Sequence, residues 1–265
     1  MKKIIIFVIF IFSIVVQSQI VMAQTQSDVR VVKSPANRVA VLELYTSEGC
    51  SSCPPADRFL SDLKKSGISS KQLIPMAFHV TYWDYIGWND RFAKKQYDQR
   101  QRDLAHKKRS KTVYTPQLVL SGDDYRRYAN FDKDVNRLVN QKATVDLTLS
   151  VQTLFGKTKK DKLSLKLSSD ISKSDAKDVG LYLVILENNL SSDVDAGEND
   201  GEELHHDYVV RQLSGPYYQS EIEKKKEQDQ LIVLHPEWQR NNLSIVAFAE
   251  NARTGEVLQA VRLKY

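Results

Sequence analysis

Cys50 and Cys53 are the only cysteines in the chain, and two serines separate them. Cysteines at this spacing can form a reversible disulfide, and no third thiol competes for either partner. The attacking species in disulfide exchange is the thiolate, so a redox cysteine must ionise near neutral pH. The spacing therefore points first to thiol–disulfide exchange.

A strand and a helix are predicted on either side of this pair. Residues 39–45 are rich in β-branched and aromatic side chains, which predicts a buried strand. Residues 54–66 carry an apolar stripe with helical spacing and begin with two prolines, which suit a first turn. The N-terminus of a helix stabilises an anion, so we assign Cys50 as nucleophile and Cys53 as resolving thiol. Strand, CxxC and helix in this order are typical of a thioredoxin-like redox site.

Three more residues are candidates for the catalytic site. Thr115 and Pro116 precede a strand predicted at 117–121. In thioredoxin-like folds a cis-proline starts this strand, faces the cysteines and offers backbone groups to an extended peptide. An ordinary trans proline at a strand start is the alternative. His79 ends a strand predicted at 73–80, at the edge that lines the crevice of open α/β sheets. Its alternative role is a hydrogen bond within the loop that follows.

Aromatic residues are concentrated just after His79. Tyr82, Trp83 and Trp88 would form a binding rim for apolar substrate side chains if they are exposed. If they are buried, they cap the sheet instead.

The N-terminal residues predict export. A basic Lys2–Lys3 pair, an apolar run over 4–16 and a small-residue site ending at Ala23 form a signal peptide over residues 1–23. The mature protein is therefore expected in the periplasm or outside the cell, where disulfides persist. We expect no stable membrane insertion after cleavage.

Two domains are predicted after a flexible lead-in at 24–37. Alternating strands and helices over 38–142, with further helices near 90–108 and 131–141, predict an α/β thioredoxin-like domain. Seven short strands over 143–265 predict an all-β domain, an immunoglobulin-like sandwich. They lie near 145–151, 163–167, 181–186, 208–213, 231–234, 243–249 and 257–263. The charged stretch 221–230 is expected to be a loop or a short helix.

The net charge of +5 is concentrated in one segment. Residues 91–114 contain nine basic and two acidic side chains, so the charge suits local steering of an anionic partner. An exported chain without a nucleic-acid-binding motif is not expected to bind nucleic acid. The acidic stretch 193–203 fails the EF-hand pattern and is expected to be a solvated loop. We predict no cofactor and no metal site.

Several segments resemble an uncharacterised secreted thioredoxin-like family that carries only a domain-of-unknown-function label. The first is residues 43–57, with the signature Thr-Ser-x-Gly-Cys-Ser-Ser-Cys-Pro-Pro-Ala-Asp. Further matching segments are His79–Asp84, Gly87–Trp88, Arg100–Arg102, Val113–Gln117, Gly197–Asn199, Gly201, Leu204, His206 and Val209–Arg211. The resemblance implies a thioredoxin-like fold and supplies no activity.

Three functional hypotheses follow. The first is an exported thiol–disulfide oxidoreductase acting on a protein or a small thiol or disulfide substrate. The second is a non-catalytic binding module of the cell envelope, in which Cys50 and Cys53 form a permanent structural disulfide. The third is copper(I) binding by the two thiolates. A redox site needs an accessible Cys50, whereas a structural disulfide is buried and resists mild reductant.

Overall fold

The elements around the cysteines occur in the order predicted from the sequence. The computed structural model describes residues 29–155, 161–220 and 222–265; the predicted signal peptide lies outside these ranges. The α-helices are α1 (Pro54–Asp62), α2 (Lys95–Lys107) and α3 (Phe131–Val139). The strands are β1 (Val29–Lys33), β2 (Ala40–Thr46), β3 (Leu73–His79), β4 (Gln117–Leu120), β5 (Asp123–Tyr125), β6 (Asp146–Leu154), β7 (Lys162–Asp170), β8 (Asp178–Glu187), β9 (Leu190–Asp193), β10 (Glu203–His206), β11 (Val209–Ser220), β12 (Lys225–Val233), β13 (Leu243–Asn251) and β14 (Val257–Lys264).

Most of the strands belong to one eight-stranded sheet, in the order β14-β13-β8-β11-β3-β2-β4-β5. Within it β2 and β3 are parallel, and β3 meets β11 at a parallel bridge between Ala77 and Val209. The other neighbours are antiparallel. A four-stranded antiparallel sheet has the order β1-β6-β7-β12, and β9 pairs with β10.

Both faces of the large sheet are buried. On one face α2 packs over strands from both halves of the chain, and Tyr97 shares a core with Phe78 and Phe248. On the other face α1 and α3 cover β2 and β4, where Leu60 and Val135 pack. The four-stranded sheet covers β8 and β13 on that same face. The core therefore runs without a break from the first half of the chain to the second.

This architecture shows that the predicted fold class is wrong. The chain is not an α/β thioredoxin-like domain followed by a separate immunoglobulin-like sandwich, because the large sheet contains strands from both halves. The physical reason lies in β8 and β13, which are apolar and buried on both faces. In a two-sheet sandwich, the outer face of each strand would carry polar residues.

Two stretches outside the predicted strands also form strands. Residues 29–33, within the expected lead-in at 24–37, pair with β6. The prediction of a loop or short helix at 221–230 is wrong, because residues 225–233 form β12 and pair with β7. Its side chains alternate between exposed and half-buried, with Ile232 fully buried near its end. Within the described ranges, no helix is long and apolar enough to span a bilayer.

Candidate functional site

Cys50 and Cys53 form a disulfide between the end of β2 and the start of α1. Their Cα atoms are 5.4 Å apart. Cys53 is the N-cap of the helix, and its carbonyl accepts the N–H groups of Ala56 and Asp57 at 2.9 and 3.1 Å. Pro54 and Pro55 occupy the first helical turn, as predicted. Cys50 therefore lies one turn ahead of the helix, near the positive end of its dipole.

A chain of hydrogen bonds leads to the sulfur of Cys50. Trp83 Nε1 donates to Thr115 Oγ1 at 2.6 Å, and Thr115 Oγ1 lies 3.4 Å from Cys50 Sγ. An indole N–H only donates, so the Thr115 hydroxyl must accept from it and directs its own hydrogen to the sulfur. Ser52 Oγ lies 3.3 Å from the same sulfur. The Thr115–Pro116 peptide bond is cis, as predicted.

The disulfide is covered by the aromatic loop, which we define as residues 82–88. Both cysteines have 0% exposed surface. A Cβ built on Gly49 would lie 3.2 Å from Ile86 Cδ1 and 3.3 Å from Trp83 Cβ, so the loop packs directly on the chain beside Cys50. A Cβ on Gly197, whose φ is +81°, would lie 3.1 Å from the same Ile86 atom. Two glycines thus make room for one isoleucine.

The predicted binding residues do not form an open rim. Tyr82, Trp83 and Trp88 are half-buried, and each uses its polar atom in a hydrogen bond within the protein. Tyr82 binds a glutamine of α2 at 3.1 Å, and Trp88 Nε1 donates to Glu48 at 2.9 Å. The exposed aromatic residue of the loop is Tyr85, 81% exposed and stacked on Trp83.

A second loop, between β9 and β10, holds the backbone around the cysteines. Glu198 accepts the N–H of Ser51 at 2.9 Å and its hydroxyl at 2.7 Å. These bonds hold the pKa of the Glu198 carboxyl below its usual value. The side-chain amide of Asn199 donates to the carbonyls of Glu48 and Cys50 at 2.7 and 3.2 Å. The expectation that residues 193–203 form a solvated loop is therefore wrong at Asn199, which is buried, whereas Glu198 is exposed as expected and also binds Ser51.

His79 lies in the protein interior and is held by a carboxylate. Its Nδ1 is 2.6 Å from Asp90 Oδ2, and Asp90 also accepts the N–H groups of Glu48 and Phe92. Burial alone would raise the pKa of Asp90, but the charge and hydrogen bond of His79 and the two N–H groups lower it. Among the described residues, no hydrogen bond joins His79 to either cysteine. Its predicted role beside Cys50 stays a prediction.

His206 joins two more buried carboxylates close to the disulfide. Its Nε2 lies 3.1 Å from Glu48, and its Nδ1 lies 3.7 Å from Asp57. Burial would lower the pKa of His206, but Asp57 and Glu48 raise it to about 10. The ring packs edge-on against His79, with centroids 4.9 Å apart. Without a metal ion, these two carboxylates favour the protonated form of the His206 ring.

Sequence reasoning missed Glu48, Asp57 and His206 as a group. Glu48 and Asp57 lie close together in the sequence, before and within α1, but His206 lies far along the chain at the end of β10. The one signal that unites them is that each belongs to a segment resembling the uncharacterised family. No spacing rule connects positions so far apart.

The fold and the site define a class of protein in which a disulfide lies at the N-terminus of a helix and is enclosed by two loops. The chain belongs to the DUF1223 family, described as proteins of unknown function, which it matches over residues 41–250. This confirms the resemblance to a family of unknown function, although not the thioredoxin-like and secreted parts of it. No curated protein matches the chain.

Two solved structures have a similar fold. Protein AGR_C_4864 from Agrobacterium tumefaciens is 21% identical, with a TM-score of 0.57 over 87% of this chain and 96% of that one. HBP35 of Porphyromonas gingivalis is 15% identical, with a TM-score of 0.63 over 87% of this chain and 76% of that one. At these identities the comparison concerns the fold alone.

Proposed function

We propose that the protein is an exported thiol–disulfide oxidoreductase in which Cys50 is the sulfur that exchanges. The observation that carries this proposal is the hydrogen-bond chain from Trp83 through Thr115 to Cys50 Sγ. A hydroxyl that donates to a sulfur favours the thiolate over the thiol, and a helix N-terminus acts in the same direction. In a permanent disulfide the Cys50 sulfur never carries the negative charge of a thiolate, so this donor would have no thiolate to stabilise.

The exchange reaction starts from the disulfide. A substrate thiolate attacks Cys50 Sγ, the Cys50–Cys53 bond breaks, and Cys53 leaves as a thiolate. A second substrate thiolate then attacks the substrate sulfur of the mixed disulfide and releases Cys50 as a thiolate. Two electrons pass from a substrate dithiol, which becomes a disulfide, to the cysteine pair. In the opposite direction Cys50 attacks a substrate disulfide and Cys53 resolves the intermediate.

The covered sulfur requires the aromatic loop to move before a partner can react. Attack at Cys50 Sγ needs an open line of approach, and Trp83 and Ile86 lie against the adjoining backbone. Tyr85, the exposed aromatic of that loop, is the side chain that a partner would contact first. A protein substrate that binds this loop supplies the contacts needed to displace it. A small thiol depends on spontaneous opening.

A structural disulfide is the second candidate, and the burial of both cysteines favours it. In that case the disulfide fixes the start of α1 and the surrounding loops serve a non-catalytic binding module. The difference between the two functions is whether the bond opens while the protein remains folded.

Redox titration of the folded mature protein in glutathione buffers distinguishes these functions. For an oxidoreductase, the disulfide opens without denaturant, Cys53→Ser forms a stable mixed disulfide with glutathione at Cys50, and Cys50→Ser forms less of it at Cys53. Reduction that requires denaturant contradicts the proposal and supports the structural disulfide. Mass spectrometry of the exported protein tests cleavage after Ala23, on which the proposed periplasmic or secreted location depends.

A further inference from the structure

Three buried side chains bring metal-binding atoms together beside the disulfide. Asp57 on α1, His79 at the end of β3 and His206 at the end of β10 each offer one ligand atom. These atoms, one carboxylate oxygen and two imidazole nitrogens, all lie within 4.8 Å of one another. All three residues are buried.

Each histidine has one nitrogen without a hydrogen bond among the described residues, and that of His206 faces Asp57 at 3.7 Å. His79 binds Asp90 through Nδ1, and His206 binds Glu48 through Nε2. Within the described part of the chain, His79 Nε2 and His206 Nδ1 are buried and have no hydrogen-bond partner. Most buried polar atoms in proteins have a partner, so two such nitrogens in one cluster call for a ligand.

The surroundings match those of a metal centre. A histidine that binds a metal generally gives its other ring nitrogen to a carboxylate or a carbonyl, which fixes the ring and its tautomer. Asp90 and Glu48 play this part for the two histidines. The third residue, Asp57, is oriented by Thr46, whose hydroxyl donates to Asp57 Oδ2 at 2.7 Å.

We propose that Asp57, His79 and His206 bind a divalent transition metal ion, for which Zn²⁺ is the first to test. Zinc takes imidazole nitrogen and carboxylate oxygen ligands in tetrahedral sites. Bonds of about 2.0–2.1 Å place tetrahedral ligand atoms roughly 3.4 Å apart, so separations of up to 4.8 Å must shorten by as much as about 1.4 Å on binding. A divalent cation also offsets the three buried carboxylates of Glu48, Asp57 and Asp90.

Titration of the metal-free mature protein with Zn²⁺ in a calorimeter tests this proposal. We expect one equivalent to bind per chain. Asp57→Asn and His206→Gln should each weaken binding by about 100-fold or more, because they remove a ligand, and Glu48→Gln by about 10–100-fold. The matched control is His205→Gln, which alters the exposed neighbour of His206 on the same strand and should leave the affinity unchanged.

The double variant Cys50→Ser/Cys53→Ser separates this site from metal binding by thiolates. Retention of Zn²⁺ binding supports the proposal, and its loss would assign the metal to the cysteines and overturn it. Thermal unfolding shows whether each variant is folded. Zn²⁺ should raise the midpoint of the wild type and of His205→Gln but not that of His206→Gln. A wild-type midpoint that Zn²⁺ leaves unchanged would also overturn it. Because no step uses the thiols, the redox proposal can fail without affecting this one.

Discussion

The Trp83 indole fixes the direction in which the Thr115 hydroxyl donates. A threonine hydroxyl can both donate and accept, but the N–H of Trp83 occupies its acceptor side at 2.6 Å. The hydroxyl itself donates to Cys50 Sγ, 3.4 Å away. Trp83 and Thr115, which are 32 positions apart, thus together stabilise a negative charge on the Cys50 sulfur.

Replacement of Thr115 by valine should make the Cys50 thiolate less stable. Loss of a hydrogen bond to a charged group is worth about 1.5–3 kcal/mol, so the thiolate fraction at neutral pH should fall by about tenfold or more. The measurement is the rate of Cys50 alkylation against pH in the reduced Cys53→Ser background. Thr115→Ser keeps the hydroxyl and should preserve the wild-type profile. Identical profiles for the valine and serine variants would show that the hydroxyl has no effect on ionisation.

The aromatic loop, at the scale of one element, controls access to the disulfide. Ile86 fits between Gly49 and Gly197, so one side chain connects this loop both to the cysteine segment and to the loop between β9 and β10. Trp83 and Trp88 add hydrogen bonds to Thr115 and Glu48. Opening the loop must break these contacts together.

Shortening Ile86 to alanine should speed reduction of the disulfide by dithiothreitol. The alanine variant loses part of the apolar contact of a half-buried side chain, which destabilises the closed loop by about 1 kcal/mol. This corresponds to roughly fivefold faster opening. Quenched-flow alkylation measures the rate in the folded protein. Ile222→Ala is the matched control, because Ile222 is 91% exposed. Equal reduction rates for the two variants would mean that Ile86 does not limit access.

A buried ion cluster unites the two halves of the whole molecule. Arg100 on α2 binds Glu43 on β2 through two hydrogen bonds of 2.8 and 2.7 Å, and it binds Glu250 on β13 at 3.0 Å. The side chains of all three residues are almost fully buried. Burial opposes the charge of Arg100, but the two glutamates raise its pKa well above the usual value.

Arg100→Met should therefore lower the free energy of unfolding by about 3–5 kcal/mol, because it leaves the buried carboxylate of Glu43 without a cation, whereas Glu250 keeps its ion pair with Lys107. Urea unfolding of the oxidised protein measures the loss. Arg102→Met changes an exposed arginine of the same helix and should alter stability by less than about 0.5 kcal/mol. A loss of similar size in both variants would show that the buried cluster contributes nothing of its own.

The N-terminal half of the chain is not expected to fold alone. A fragment of residues 24–142 would leave the β11 edge of β3 unpaired and expose the core face that Phe78 shares with Phe248. We expect little ordered structure in its circular dichroism and amide spectra, and a single urea transition for the complete mature protein. A well-dispersed amide spectrum from the fragment would contradict this expectation.

The sequence predicted local elements better than their partners. The prolines at 54 and 55 mark the start of α1, and the alternation over 163–167 correctly indicates a strand with one buried face. The unbroken apolar runs of β8 and β13 indicate strands with two buried faces. They do not indicate which strands pair with β8 and β13. The roles of Glu198 and Asn199 were not predicted, because these residues bind backbone atoms about 150 positions away.

The bridge between Ala77 and Val209 also sets an order of events during synthesis. The two residues are 132 positions apart (209 − 77), so β3 emerges from the ribosome long before the strand that covers its edge. At about 5–20 residues per second this interval lasts roughly 7–26 seconds. An uncovered strand edge invites pairing with other chains. A newly made chain is therefore most vulnerable to aggregation in this interval, and a chaperone that shields β3 would protect it.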